Sequence, residues 1–153
     1  MQSIMTALCF GTGSMAECIV PAIRQEALEI KAYIDERPSM RGTTYAGKPV
    51  IDFLQIPEWS FDYILVACRP AELINVRLRA LGIPEEKIVI MDVEKLLQEP
   101  EILCPALLAH WRAFPGLAQA IDPSVLVNSP WLKGVLPLKL RDLLRAKFTK
   151  DTV

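Results

Sequence analysis

The feature that most constrains the fold is an apolar run that ends in a glycine-rich turn. Residues 4–10 form a nearly continuous apolar stretch, which is typical of a strand buried on both faces of a parallel sheet. The run is followed by Gly11-Thr12-Gly13-Ser14-Met15-Ala16, which matches the pattern G-x-G-x-x-[GA]. The sequence therefore predicts a strand, a tight turn and then a helix.

The helix that follows the turn is predicted from its apolar spacing. Apolar residues recur three and four positions apart, which is the spacing of one helical face. These residues are Met15, Cys18, Ile19, Ala22 and Ile23. The spacing predicts a helix over residues 14–26 that packs on the sheet, with a kink at Pro21.

Further apolar segments predict the rest of a parallel sheet. Strands are expected at residues 30–34, 49–51, 61–68 and 88–91, and helices at 70–81 and 93–98. In the second strand Ile30, Ala32 and Ile34 alternate with Lys31 and Tyr33, and no helical periodicity follows between residues 39 and 48. The alternation of strands and helices predicts an α/β fold, a Rossmann-like open parallel sheet of order about 3-2-1-4-5.

The character of the sequence changes after residue 99, where prolines recur without further convincing strands. We expect a Rossmann-like nucleotide-binding domain at residues 1–98 and a helical C-terminal extension at residues 99–153. The length of 153 residues suffices for one hydrophobic core.

The glycine turn has the composition of a phosphate-binding loop. Gly11 permits a tight turn, Gly13 has no Cβ to obstruct a pyrophosphate, and the small Ala16 allows close packing of helix and strand. The free N–H groups of Gly13, Ser14 and Met15 are then expected to face the anion at the start of the helix.

Two charged residues at the end of the second strand are candidates for contact with a nucleoside. Asp35 lies 22 residues after Gly13, where a Rossmann domain places the carboxylate that binds ribose hydroxyls. Arg37 is close enough to bind a ribose phosphate instead, as in NADP or coenzyme A, and this role competes with the first. In the alternative interpretation the glycines only turn the chain and Asp35 only caps a loop.

A second candidate contact follows the fourth predicted strand. Cys68 and Arg69 come directly after it, at the carboxyl edge where open α/β sheets bind ligands. Arg69 either contacts a phosphate or sugar there or is simply solvated.

Several catalytic and metal-binding patterns are absent from the sequence. It contains no Tyr-x-x-x-Lys dyad, no Gly-x-Ser-x-Gly elbow and no C-x-x-C pair. Its single histidine, His110, lies on an apolar helical stripe, where a structural role is favoured. We therefore expect no metal, and a function in binding or regulation rather than catalysis.

Charge and the terminal segments suggest the partners and the compartment. The net charge of -1 favours no nucleic-acid partner, and the absence of a signal peptide at the start of the chain favours a cytoplasmic location. Residues 131–148 form a basic amphipathic stretch that fits an anionic membrane surface or a partner helix, whereas packing on its own domain or on a dimer mate is the favoured interpretation. A homo-oligomer is expected.

The short motifs of residues 9–14, 33–38, 45–50, 62–67 and 81–88, in this order, identify a resemblance. The chain resembles the Rossmann-like domain at the amino end of bacterial polysaccharide-biosynthesis proteins, which include nucleotide-sugar dehydratases, sugar acetyltransferases and companions of sugar methyltransferases. The resemblance implies a UDP-sugar, NAD(P) or coenzyme A as ligand. It also implies that Gly11, Gly13 and Ser14 hold phosphate and that Asp35 and Glu36 meet the ribose or base.

The expected function is therefore a nucleotide-binding module in polysaccharide or nucleotide-sugar metabolism. The chain lacks the dehydratase domain and the hexapeptide repeats of the larger proteins it resembles. Two alternatives remain open, an NAD(P)-dependent oxidoreductase acting on a nucleotide sugar and a methyltransferase-like domain that uses S-adenosylmethionine.

Overall fold

A mostly parallel sheet forms the centre of the fold. The structure, a computed structural model, describes residues 4–92, 100–129 and 142. In these residues the strands are β1 (Met5–Phe10), β2 (Leu28–Ile34), β3 (Thr44–Tyr45), β4 (Lys48–Ile51), β5 (Tyr63–Val66) and β6 (Ile88–Ile90).

The strands lie in the order β3-β4-β2-β1-β5-β6. All neighbours are parallel except β3 and β4, which pair antiparallel. The predicted α/β fold class is confirmed, and the five predicted strands occur in the predicted order. The short β3 is an addition at the edge, formed by a segment in which the sequence showed only turn-forming residues.

The helices are α1 (Ser14–Ile19), α2 (Ala71–Ala80), α3 (Pro100–Arg112) and α4 (Pro123–Val127). The prediction of a helix as far as residue 26 is wrong, because α1 ends at Ile19 and a single 3-10 turn, Val20–Ala22, follows it. Pro21 lies in that turn and has no N–H to continue the α-helical ladder, so the chain becomes extended at Ile23. The predicted helix at 93–98 lies outside the described residues, as does the basic segment 131–148 except for Asp142.

A β-bulge interrupts the alternation of side chains along β2. Ala7 of β1 is opposite Ile30, whereas the next residue, Leu8, is opposite Ala32, so Lys31 is left over. The prediction that Ile30 and Ala32 lie on the same face is therefore wrong. Ile30 packs in one hydrophobic cluster and Ala32 in the other.

The sheet is covered by apolar clusters on both faces, as expected for parallel strands. One cluster contains residues of α1 together with the described C-terminal residues, including Leu108, Trp111 and Phe114. The other is covered by α2 and by the 3-10 helix Phe53–Glu58. The described part of the C-terminal extension thus shares its core with the sheet.

Two side chains of α3 bind the backbone of β6. The N–H of Ile90 donates to Nε2 of His110 at 3.0 Å, and Nε1 of Trp111 donates to the carbonyl oxygen of Ile90 at 2.8 Å. His110 also packs edge-on against Phe114, with ring centroids 5.1 Å apart. His110 therefore has the structural role that its place on the apolar stripe favoured.

No helix among the described residues is long and apolar enough to cross a bilayer.

Candidate functional site

A cleft of about 340 Å³ opens at the carboxyl ends of β1, β2 and β5. This is the edge at which parallel α/β sheets bind ligands. Eight of the ten residues proposed from the sequence line it: Gly11, Thr12, Gly13, Asp35, Glu36, Arg37, Cys68 and Arg69. The remaining wall is mostly apolar and consists of Phe10, Ile34, Pro70, Leu73 and Ile74 together with the cation Arg77.

Gly11 makes the turn out of β1 and could not be another residue without displacement of its neighbours. Its φ is +123°, and a Cβ added to it would lie 2.6 Å from the carbonyl oxygen of Ala67. The N–H of Gly11 donates to the carbonyl oxygen of Ile34 at 2.9 Å, which joins the turn to the end of β2. The glycine therefore allows three strand ends to meet closely.

Gly13 is different, because its side-chain position is open. A Cβ added there would have no atom within 4 Å, and the backbone, with φ of -94°, is accessible to any residue. Gly13 is exposed and lines the cleft at the start of α1. The bend is thus free of side chains at the position where the sequence predicted contact with phosphate.

The two remaining residues of the predicted loop do not line the cleft. Ser14 is exposed at the first position of α1, and the side chain of Met15 is buried in the core beneath the helix. Any contact of Met15 with a ligand would be made through its backbone.

Asp35 lies at the end of β2 and is surrounded by donors. Its Oδ2 accepts from the hydroxyl of Thr12 at 2.5 Å and from Nη2 of Arg37 at 2.7 Å. Its Oδ1 accepts from the backbone N–H and from Nε of Arg37, at 2.9 and 3.0 Å. The hydrogen bonds from Arg37 hold the pKa of Asp35 well below its usual range, so the carboxylate is ionised throughout the physiological range.

The neighbouring carboxylate is also paired with an arginine. Glu36 accepts two hydrogen bonds from Arg77 of α2, at 2.7 and 2.6 Å, and these bonds lower the pKa of Glu36. The guanidinium of Arg77 lies 4.4 Å from the ring centroid of Phe53. Arg77 is the charged cleft residue that sequence reasoning missed, although the predicted helix 70–81 contains it.

Cys68 and Arg69 reach the cleft from the end of β5, as predicted. Burial, together with the nearby carboxylates Glu36 and Asp35, raises the pKa of the Cys68 thiol to about 11. The thiol is therefore neutral at physiological pH and is a poor nucleophile. The described residues contain no group of three or more His, Cys, Asp or Glu side chains that would hold a metal ion.

The solved structures that match this chain include two complexes of a protein named RSP. RSP bound to β-NADH is 14% identical to this chain, with a TM-score of 0.45, and RSP bound to β-NAD+ and operator DNA is 13% identical, with a TM-score of 0.44. Each comparison covers 69% of this chain and 62% of the solved chain, so this chain spans less than two thirds of the length of RSP. No curated protein matches the chain.

The second RSP structure corrects one prediction from the sequence. The prediction from a net charge of -1 that no nucleic acid is a partner does not hold: RSP, a solved protein that matches this chain, is bound to operator DNA in that structure. Net charge averages over a whole chain, whereas contact with phosphates depends on where basic residues lie on the surface. Net charge therefore does not exclude a nucleic-acid partner.

The comparison with protein families concerns the part of the chain that forms the cleft. The family described as C2185-like, N-terminal, matches residues 3–89. This match extends from before β1 into β6 and includes every residue that lines the cleft. The chain belongs to the C2185-like, N-terminal, family.

Proposed function

We propose that the cleft binds a nucleotide, with the phosphates over the bend at Gly11–Gly13 and the nucleoside towards the end of β2. The observation that carries this proposal is the openness of the bend at Gly13, at the carboxyl edge of a parallel sheet. A closed bend would leave an anion no approach to the main chain.

The position of the bend favours phosphate as the group that binds there. Gly13 is the residue before the first turn of α1, where backbone N–H groups lack partners within the helix. Anions bind such positions because several N–H dipoles converge on them. Gly13 has no side chain to exclude a bulky pyrophosphate.

The outer wall of the cleft suits a nucleoside. Leu73 lines the cleft, yet 55% of it is exposed, which leaves an apolar surface against which a base can pack. Thr12, in the turn after β1, and the Asp35–Arg37 pair, after β2, add polar groups to the lining of the cleft. The cleft therefore combines one apolar wall with a few convergent polar groups, as small-molecule sites usually do.

The ligand classes to test are NAD(P), a nucleotide sugar and coenzyme A. We propose a role in binding or regulation, because the thiol of Cys68 is protonated and the described cleft presents paired carboxylates rather than a poised acid and base. A setting in polysaccharide or nucleotide-sugar metabolism, a cytoplasmic location and a homo-oligomeric state remain predictions. The domain boundary near residue 98 also remains a prediction.

Isothermal titration of the full chain with NAD, NADP, a UDP-sugar, coenzyme A and S-adenosylmethionine tests the proposal. We expect one of the first four to bind, and Gly13→Asp to weaken that binding at least about tenfold by placing a carboxylate beside the phosphates. The substituted protein should fold, because the position of the added side chain is empty in the structure.

Two control variants separate charge in the cleft from other effects. Gly13→Ala adds a methyl group without charge, and Gln25→Asp adds a carboxylate at an exposed position outside the cleft. Both should retain most of the affinity.

Unchanged binding in Gly13→Asp would refute the proposal, and binding of S-adenosylmethionine alone would favour the methyltransferase-like alternative. Oxidation or reduction of a nicotinamide in the presence of a UDP-sugar would favour the oxidoreductase.

A further inference from the structure

We propose that the cleft selects a nucleotide whose ribose carries a phosphate, and that Arg37 binds this phosphate. The inference rests on the proposed function, since it concerns the same cleft. It assigns the outer end of the site to an anion rather than to a pair of ribose hydroxyls.

The first observation is that the oxygen atoms of Asp35 already have donors. Oδ1 accepts two hydrogen bonds from Arg37, at 2.9 and 3.0 Å. Oδ2 accepts from Thr12 at 2.5 Å and from Nη2 and Nε of Arg37, at 2.7 and 3.2 Å. A ribose diol would have to share these oxygens with the bonds from Arg37, in which both donor and acceptor are charged.

The second observation is the difference in exposure between the two partners. The side chain of Arg37 is 65% exposed, whereas that of Asp35 is 9% exposed. A ligand that reaches the end of β2 therefore meets the guanidinium first. The carboxylate lies beneath it.

The third observation concerns the geometry of Arg37. Its Nε and Nη2 atoms face Asp35, and Nη2 also donates to the hydroxyl of Thr12 at 3.2 Å. These bonds hold the guanidinium at the rim of the cleft without using Nη1, for which no bond to Asp35 or Thr12 is formed. A phosphate can therefore bind the outer side of Arg37 while the pair with Asp35 stays intact.

The charges around the cleft agree with an anionic ligand. The second carboxylate, Glu36, is bound by both terminal nitrogens of Arg77 and is likewise not free to accept hydroxyls. Three arginines and two carboxylates line the cleft. The formal charges of these five side chains sum to +1. Both carboxylates are hydrogen-bonded by arginine.

The test uses pairs of ligands that differ by one phosphate. NADP and NAD differ at the 2′ position of the ribose, and coenzyme A and dephospho-coenzyme A differ at the 3′ position. Isothermal titration of the full chain should show that the phosphorylated member of one pair binds at least about tenfold more tightly than its partner. The pair that shows the difference identifies which ribose position carries the phosphate.

A matched arginine variant assigns the difference to Arg37. Arg37→Gln should reduce the ratio of affinities within that pair to less than about threefold, mainly by weakening the phosphorylated member. The control is Arg41→Gln, since Arg41 is 63% exposed and its carboxylate partner, Asp52, is 3.8 Å away and does not line the cleft. That variant should leave the ratio unchanged.

Three outcomes would overturn the inference. Equal binding within both pairs, with affinity still lost in Gly13→Asp, would overturn it while the proposed nucleotide function stands. A ratio that survives Arg37→Gln would also overturn it, as would binding of a UDP-sugar without either phosphorylated ligand. If none of these ligands binds, both the inference and the proposed function fail.

Discussion

The α-carbon of Gly11 faces the carbonyl oxygen of Ala67 so closely that a Cβ would lie 2.6 Å from that oxygen. This contact joins the end of β1 to the residue after β5. The two glycines of the turn therefore have different roles. Gly11 is required for the fold, whereas Gly13 leaves space beside the cleft.

Alanine at the two glycines should therefore affect stability to very different extents. Gly11→Ala combines a positive φ with a backbone clash, and we expect it to lower the free energy of unfolding by about 2–4 kcal/mol. Gly13→Ala should change it by less than about 1 kcal/mol, and in either direction, because its φ suits any residue. Urea denaturation followed by circular dichroism measures both. Equal losses in the two variants would contradict this assignment.

Replacement of Asp35 by asparagine should destabilise the chain in a pH-dependent way. The bonds from Arg37 lower the pKa of Asp35 in the folded state, so their contribution is present above the unfolded pKa of about 3.9 and is lost as pH falls towards the folded value. At pH 7 we expect Asp35→Asn to lose about 1–3 kcal/mol of unfolding free energy. The difference from the unsubstituted chain should shrink as pH falls below about 4.

Urea titrations at several pH values measure this difference. Glu26→Gln, at an exposed position outside the cleft, is the control and should differ little from the unsubstituted chain at any pH. A deficit in Asp35→Asn that stays constant down to the most acidic pH would contradict the role of the charged pair.

His110 should make the stability fall as the solution becomes mildly acidic. Burial lowers its pKa, and Nε2 must be unprotonated to accept the N–H of Ile90. Below the unfolded pKa of about 6.5 the unfolded chain binds a proton that the folded chain resists, so unfolding becomes more favourable. His110→Gln removes the titrating group but keeps an acceptor. Its stability should depend less on pH between about 7.5 and 5.5, and an unchanged pH dependence in denaturant titrations would contradict the prediction.

Trp111 should contribute more to stability than a tryptophan at the surface. It is 1% exposed, and its indole N–H is the donor to the carbonyl oxygen of Ile90. Trp111→Phe leaves that oxygen without this donor and leaves a small void, which should cost about 2–4 kcal/mol. Trp59→Phe is the matched control, because Trp59 is only half-buried. Similar losses in denaturant titrations would show that the contact between α3 and β6 is not the cause.

Strand order was predictable from the sequence because it depends on large and redundant signals. The apolar runs of β1 and β5 are soon followed by Gly11 and Pro70, respectively, and parallel strands require crossovers of one hand. Once the order is known, the ends of β1, β2 and β5 must share an edge. Gly11, Asp35 and Cys68 were found at the cleft for this reason.

The features that the sequence did not predict correctly depend on the conformation of single residues. Pro21 predicted a disturbance, but the pattern of apolar residues continued to Ile23 and concealed the end of α1. Arg77 was missed because the rotation of α2 about its axis depends on packing against the sheet. The pairing of Asp35 with Arg37 depends on how the chain turns after β2, which spacing alone does not specify.

The bulge at Lys31 determines which face of the sheet each later residue of β2 points to. Because Lys31 is left out of the pairing, Tyr33 lies opposite Cys9 and packs in one cluster, whereas Ile34 lies opposite Phe10 and packs in the other. If Lys31 were instead paired in a regular ladder with β1, Tyr33 and Ile34 would exchange faces, and the carboxylate of Asp35 would turn with them. The orientation of the cleft carboxylate thus depends on a bulge at Lys31, a residue that does not itself line the cleft.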